Sequence, residues 1–148
     1  MKVVVQRVKS ASVAVEGKIV GKIVNGLVLL ICVAETDTKD NVESIANKCT
    51  NLRIFQDNQG KLNRSLIDEK GEVLAISQFT LLGDTRKGRR PSFISAAHPE
   101  KGKEYYEYFI DCIVKQGVNV ETGIFGAMMD VELINTGPVT LIVESKYE

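Results

Sequence analysis

Tryptophan is absent from this chain, histidine occurs once (His98), and cysteine and proline occur three times each. Each shortage removes a class of chemistry. With one histidine and no Cys/His cluster at metal-ligand spacing, no metal site is expected, and no cofactor is expected either. A Ser-His-Asp triad would have to use His98, which stands before Pro99 where a helix opens. His98 is therefore read as a helix-opening residue, with a catalytic base as the lesser alternative. Cys32, Cys49 and Cys112 are far apart and odd in number, each in an apolar pattern, which fits buried free thiols in a reducing cytosol. A cytoplasmic location follows. No stretch approaches the ~20 apolar residues of a membrane span, and the apolar run after Met1-Lys2 is too short for a signal peptide, so no membrane partner is expected. Net charge is also missing: Lys plus Arg and Asp plus Glu both number 19. Any RNA partner would have to be held by a local patch.

What is present is a chain of 148 residues with 44% hydrophobic and 26% charged residues, values ordinary for a globular domain. No linker, repeat or low-complexity stretch divides it, so residues 1–148 are expected to form one domain. Strand patterns cover 3–8, 12–15 and 19–24, with a Glu16-Gly17 turn. Asn25-Gly26 is a strong hairpin signal, and 27–33 is a continuous apolar run of the kind covered on both faces. Asp37-Thr38 caps a helix over 39–51 whose apolar positions Val42, Ile45, Ala46 and Cys49 share a face. A short strand over 53–55 precedes a turn at 57–60, and 72–81 is another apolar strand. Pro99 opens a second helix with the stripe Tyr106, Phe109, Ile110 and Ile113, and Gly117 follows its end. Strands at 118–120, 127–134 and 139–144 complete the chain. The expected fold is α+β: a mostly antiparallel, barrel-like sheet with two main helices packed outside.

Four segments stand out as candidates for chemistry. In Ser77-Gln78-Phe79-Thr80-Leu81 an apolar strand acquires polar groups at its end; if the chain stays extended, Gln78 and Thr80 share one face and Ser77 and Phe79 the other. Such an end suits a pocket, although many strands simply end in polar residues. Arg86, Lys87, Arg89 and Arg90 put four cations into five residues, enough to neutralise phosphates locally; a solvated surface loop is the competing reading. Phe125-Gly126-Ala127 offers a slot for a flat base or a tight turn. Gly137-Pro138, within Asn135-Thr136-Gly137-Pro138-Val139-Thr140, is either a hairpin turn or a rigid probe, since a bond before proline is the common one that can be cis. Asp130 and Glu132 alternate with apolar neighbours and are read as solvated, not as an acid–base pair. Arg7 is left between two roles, a tether inside the fold or a surface cation.

Together these segments resemble the D-aminoacyl-tRNA deacylase family. The likeness rests on Ser77–Leu81 and Asn135–Thr140, supported by Val5-Gln6-Arg7-Val8, Leu52-Arg53-Ile54-Phe55, Gly88-Arg89-Arg90-Pro91-Ser92-Phe93 and Phe125-Gly126-Ala127-Met128-Met129, in family order over nearly the whole chain. The resemblance implies a homodimer with interfacial sites that hydrolyses the ester between a D-amino acid and the terminal adenosine of tRNA, and that also accepts glycyl-tRNA. It assigns Gly137 and Pro138 to a cis dipeptide inserted into the partner's pocket, and Ser77, Gln78, Phe79 and Thr80 to the pocket lining. Gly126 and Ala127 are assigned to the border of the adenine site.

On that reading, backbone N–H groups of Phe79 and Thr80 serve as oxyanion donors and the substrate's own 2′-hydroxyl assists the attacking water. The alternative makes Thr80 a covalent nucleophile, for which the sequence supplies no neighbouring base. Two other functions stay open at this point: a non-catalytic RNA-binding barrel using the 86–90 loop, and an interaction domain that dimerises through its C-terminal strands.

Overall fold

The computed structural model describes residues 1–145. One strand organises it. β1 (Lys2–Val15) is a single strand, not the two short ones expected, and it pairs on both sides over most of its length. It turns at Glu16 (φ 50°) and Gly17 (φ 78°). Two successive positive φ values make the tight two-residue hairpin whose twist matches the flanking strands.

β2 (Lys18–Ile23) and β3 (Gly26–Cys32) then return along the same side of β1. Ile23 stands opposite Ala11, Gly26 opposite Val8 and Cys32 opposite Lys2, so the two segments continue one register. Asn25-Gly26 is therefore not a hairpin turn but a kink within one long return strand. Its cause is visible: Glu72 N–H donates to Asn25 O at 3.1 Å, and a Cβ on Gly26 would stand 1.9 Å from Glu72 O. The kink admits the first residue of another strand.

That strand is β6 (Glu72–Ser77), which pairs parallel with β3, and β7 (Val120–Thr122) pairs parallel with β6. The expected mostly antiparallel sheet holds, since the β1 pairings are antiparallel, and these two are its parallel exceptions. The reason is topological. α1 (Lys39–Asn51) carries the chain from β3 back towards β6, and α3 (Pro99–Val114) does the same between β6 and β7; a long crossover of this kind is what joins parallel strands. The expected short strand at 53–55 is displaced to β4 (Phe55–Gln56), which pairs with β5 (Leu62–Arg64). A four-residue helix α2 (Leu66–Glu69), capped by Ser65, was not foreseen.

The sheet curls because β2 bends over towards β7: a Cβ on Gly21 would meet Thr122 O at 2.7 Å. Inside the curl lie Val8, Ala11, Val13, Ile23, Val28, Leu74 and Ile76. The outer face carries the larger core, where Val3, Val5, Leu27, Leu29, Ile31 and Val73 meet Val42, Ile45 and Cys49 of α1 and Tyr106, Phe109 and Ile113 of α3. β3 is thus covered on both faces, as its unbroken apolar run predicts. α1 has its expected bounds, with Thr38 and Asn41 exchanging capping bonds (3.2 and 2.8 Å). Asp37 turns inward instead: its carboxylate accepts the Met1 ammonium at 2.6 Å and Ala34 N–H at 2.7 Å. α3 starts at Pro99 with His98 as its N-cap, and Gly117 (φ 84°) closes its end through a 2.9 Å bond to Val114 O.

β8 (Asp130–Glu144) is the edge strand, paired with β1 alone. It begins three residues later than expected, and it does not stop at Gly137-Pro138. Thr140 faces Gln6 and Asn135 faces Val8, so residues 136–139 loop out opposite Arg7 and the strand resumes. No described helix is long and apolar enough to cross a membrane.

Candidate active site

β3, β6 and β7 are parallel and adjacent, so their carboxyl ends open on one side of the sheet. In parallel sheets this is where loops diverge and leave room for a ligand. Ser77 ends β6 there, beside Ile31. Beyond it the extended chain stops, which corrects the expected strand over 72–81. Gln78 N–H donates to Ile31 O (2.8 Å), and Phe79–Leu82 coil into a 3-10 turn. Gln78 and Thr80 consequently do not share a strand face. They meet through the turn, with the Gln78 amide donating to Thr80 Oγ1 at 2.6 Å. Leu81 N–H bonds back to Gln78 O at 3.3 Å. The N–H groups of Phe79 and Thr80 lie ahead of the turn's first donor, Leu81 N–H, so the turn itself gives them no partner.

The turn is latched from below by Cys32. Its buried thiol donates to Phe79 O (3.2 Å), and burial pushes its pKa up to about 11, so the thiol stays protonated and can donate. Cys49, buried in the core, is pushed up to about 12. All three cysteines are free.

Gly126 and Ala127 sit in a turn at the same end of the sheet, just past β7. Ala127 N–H donates to Ile124 O (3.1 Å), and Gly126 takes φ 78°. Phe125 anchors this turn by packing on Tyr106 (ring centroids 5.8 Å apart), whose hydroxyl donates to Ala75 O at 2.8 Å.

The basic loop leaves the 3-10 turn and is pinched at its neck, where Asp84 and Ser92 exchange backbone bonds of 2.8 and 2.9 Å. Its four cations are not equivalent. Arg86 grips Asp84 through Nε (2.9 Å) and Nη2 (2.7 Å), and this pair holds the Asp84 carboxyl down at about 2. Among the described residues, Lys87, Arg89 and Arg90 have no ion-pair partner.

Gly137-Pro138 stands elsewhere. The bond between the two is cis, and both residues are exposed. Two side chains hold the loop. Asn135 spans its base, accepting Val139 N–H at 2.7 Å and donating to Val139 O at 3.1 Å. Arg7, 8% exposed, lies beneath it and donates to Thr136 O (2.9 Å) and Ile54 O (2.7 Å). Arg7 is thus a tether and not a surface cation, which sequence alone left open.

The structure does not bring Gly137-Pro138 to Ser77–Thr80 within one chain. Ser77 aligns through Ile31 and Val3 with Val143, three strands away, and the looped segment lies opposite Arg7, four residues further along β1. At ~3.3 Å per residue and ~4.8 Å per strand, the two are roughly 20 Å apart on the sheet. Asp130 and Glu132 are exposed on β8, as read. A hollow of about 400 Å³ lined by residues such as Leu66, Gly71 and Asn119 opens at the opposite, amino end of β6 and holds none of these groups.

Comparison with known proteins bears on the family and the fold. The family model for D-Tyr-tRNA(Tyr) deacylase matches residues 4–144. Proteins named D-aminoacyl-tRNA deacylase from Bacillus cytotoxicus and Bacillus mycoides are each 59% identical over 146 residues, covering 99% of this chain and all of theirs. A solved structure named c-Myc DNA Unwinding Element Binding Protein superposes with a TM-score of 0.93 at 38% identity, covering 99% of this chain and 100% of its own. A probable eukaryotic D-amino acid tRNA deacylase shares the fold (TM-score 0.83, 18% identity, 96% and 97% covered). The chain therefore belongs to the D-Tyr-tRNA(Tyr) deacylase family.

Proposed function

We propose that this chain hydrolyses D-aminoacyl-tRNA as a homodimer, each subunit lending Gly137-Pro138 to the other's Ser77–Thr80 pocket. One observation supports the dimeric reading: Gly137-Pro138 and the exposed Phe79-Thr80 end of the other segment are roughly 20 Å apart on one sheet, a separation that a second copy would bridge. β8, which bears the dipeptide, is an edge strand with Val131 (37%), Ile134 (49%), Leu141 (39%) and Ile142 (63%) exposed, the apolar surface an interface would cover.

Discrimination on this reading works by exclusion. A probe held by Asn135 and Arg7 yields little, so an L side chain pointing at it meets a clash that a D side chain avoids. Glycine has no Cβ to clash, and glycyl-tRNA is accepted. For the reaction, water adds to the ester carbonyl carbon and gives up a proton with the help of the ribose 2′-hydroxyl. The oxyanion accepts from the N–H groups of Phe79 and Thr80. Collapse breaks the acyl C–O bond, and the ribose oxygen takes the proton, releasing amino acid and tRNA. Gly126 and Ala127 border the adenine. No metal or cofactor enters this scheme, and the cytoplasm, where charged tRNA is used, is its setting.

The relative named for binding a DNA unwinding element favours a second reading, a nucleic-acid-binding protein without hydrolysis. Matched D- and L-aminoacyl-tRNA, scored by amino acid released with and without a chelator, separates the two. Release from the D form alone, unaffected by chelator, is expected. Inertness toward both would leave only the binding protein, and equal release from both would remove the chiral role of Gly137-Pro138.

A further inference from the structure

The neck of the basic loop carries aromatic surface as well as charge. Phe93 follows Ser92 directly and meets Phe79 edge to face, with ring centroids 5.1 Å apart at 73°. Gly83 allows the approach, since a Cβ there would lie 2.9 Å from Phe93 Cε1. Neither ring is buried by the contact: Phe79 is 56% exposed and Phe93 37%, with Ile94 beside them at 90%. An edge-to-face contact uses one face of one ring and an edge of the other, so ring faces remain for a ligand. Lys87, Arg89 and Arg90 extend from the same loop without carboxylate partners among the described residues.

We propose that Phe79, Phe93 and the three unpaired cations form a platform for the unpaired 3′ end of RNA, the bases stacking on the rings while Lys87, Arg89 and Arg90 neutralise phosphates. Exposed aromatics beside a cationic track are the recurring means of holding single strands, because every base has a face to stack. A duplex keeps its bases stacked on one another and offers the rings only edges and backbone. The identity of the RNA as the acceptor end of tRNA rests on the deacylase reading above; the platform itself does not.

Arg86 is excluded from the count. Its guanidinium is committed to Asp84 by two bonds and serves as a latch on the loop neck. Three phosphates released from their counterions give a slope of about −2 in log affinity against log salt, whereas four would give about −3. Between 50 and 200 mM salt this is a loss of about 20-fold against about 50-fold.

The test uses the full chain and a 5′-labelled, unacylated single-stranded RNA ending in ACCA and long enough to carry more phosphates than the loop has cations, followed by anisotropy across salt. The expected slope is about −2, reduced by about 0.7 in Arg89→Gln, unchanged in Arg86→Gln, and steepened towards −3 in Asp84→Asn, which frees Arg86. Phe93→Ala weakens binding by about 5- to 100-fold and Phe93→Tyr restores it. Phe93→Leu, which keeps apolar bulk but no ring, serves where the alanine variant unfolds. A slope that ignores Arg89, undiminished binding by Phe93→Leu, a blunt RNA hairpin bound as tightly, or an acidic peptide of equal charge competing as well would each overturn the proposal. Hydrolysis separates it from the function: in Phe93→Leu the KM for D-aminoacyl-tRNA should rise more than kcat falls. Wild-type hydrolysis without oligonucleotide binding sinks the platform alone, and binding without hydrolysis sinks the deacylase alone.

Discussion

Arg7 and Thr136 are joined across the sheet by a 2.9 Å bond from the guanidinium Nε to the carbonyl oxygen, exactly where β8 departs from its ladder with β1. The second donor, Nη1, reaches Ile54 O at 2.7 Å, so one buried side chain ties the looped-out segment to the strand-like stretch before β4. Gly137 is required here. A Cβ would stand 2.8 Å from Arg7 Nη2 and 2.9 Å from Val139 Cγ2, at φ 135°.

Arg7→Met should therefore act on stability and on chirality together. It strands two carbonyls in the interior, each costing about 1–3 kcal/mol, and lowers Tm by about 2–4 °C per kcal/mol. Because the loop loses its support, the ratio of D- to L-aminoacyl-tRNA hydrolysis should fall more than the D rate itself. Arg7→Lys can satisfy one carbonyl and should lie between. Thermal unfolding and paired D/L assays read both effects, and an unchanged ratio in a folded Arg7→Met would show that the tether is structural only.

Thr80→Val should lower kcat by less than about tenfold. The hydroxyl's partner is the Gln78 amide, which is no base in either orientation and cannot activate it. Losing one neutral hydrogen bond is worth about 1 kcal/mol, well short of the factor of a thousand or more that removal of a nucleophile brings. Single-turnover hydrolysis measures this. A loss of that larger size, with substrate still bound, would return the role to the Thr80 side chain.

The Asp84–Arg86 latch should persist into acid. The folded carboxyl is held at about 2, below its ordinary 3.8, chiefly by its hydrogen bond to Arg86. A depressed folded pKa means the contribution is complete above the unfolded value and is lost as pH falls through the folded one, here between about 4 and about 2. Arg86 is exposed and Asp84 reaches solvent, so the effect is local order of the loop and not global stability. Carboxyl NMR titration of the wild type and Arg86→Gln reads it; in the variant the midpoint should move back towards 3.8.

Gly26→Ala should open the seam between β3 and β6. The added methyl would fall 1.9 Å from Glu72 O, a backbone atom with no room to retreat. Overpacking of this kind costs about 1–3 kcal/mol or more, a fall of about 2–12 °C in Tm. Faster amide exchange at Glu72, whose N–H donates to Asn25 O, and at Leu74, if found with the Tm loss, would locate the damage in this seam; a variant as stable as the wild type would show that the strands can part without cost.

Several features were legible because their causes are local. Thr38 at the head of α1, Pro99 at the head of α3 and the Glu16-Gly17 turn each carry their own geometry, and the structure keeps all three. The free, mostly buried thiols and the apolar run of β3 follow from composition and pattern in the same way. Ser77–Thr80 and the dipeptide Gly137-Pro138 were legible as motifs, though not their shapes. Gln78 and Thr80 would share a strand face only in an extended chain, and the chain coils after Ser77 because Ile31 O and the Cys32 thiol hold the turn from a neighbouring strand.

By itself, then, the sequence determined which residues start helices, which form strands and which segments are worth chemistry, since capping, φ preference and periodicity act over a few neighbours. Tertiary structure decided what Asn25-Gly26 and Gly137-Pro138 do. Both are turn signals, and both end up inside long strands because β1 offers a hydrogen-bonding partner on either side of each. It also decided that Arg7 is buried, that Arg86 is paired with Asp84, and that Gly137-Pro138 and Ser77–Thr80 lie at separate places on one sheet. These facts depend on which strand pairs with which, a choice made by burial over the whole chain and not written in any short stretch of it.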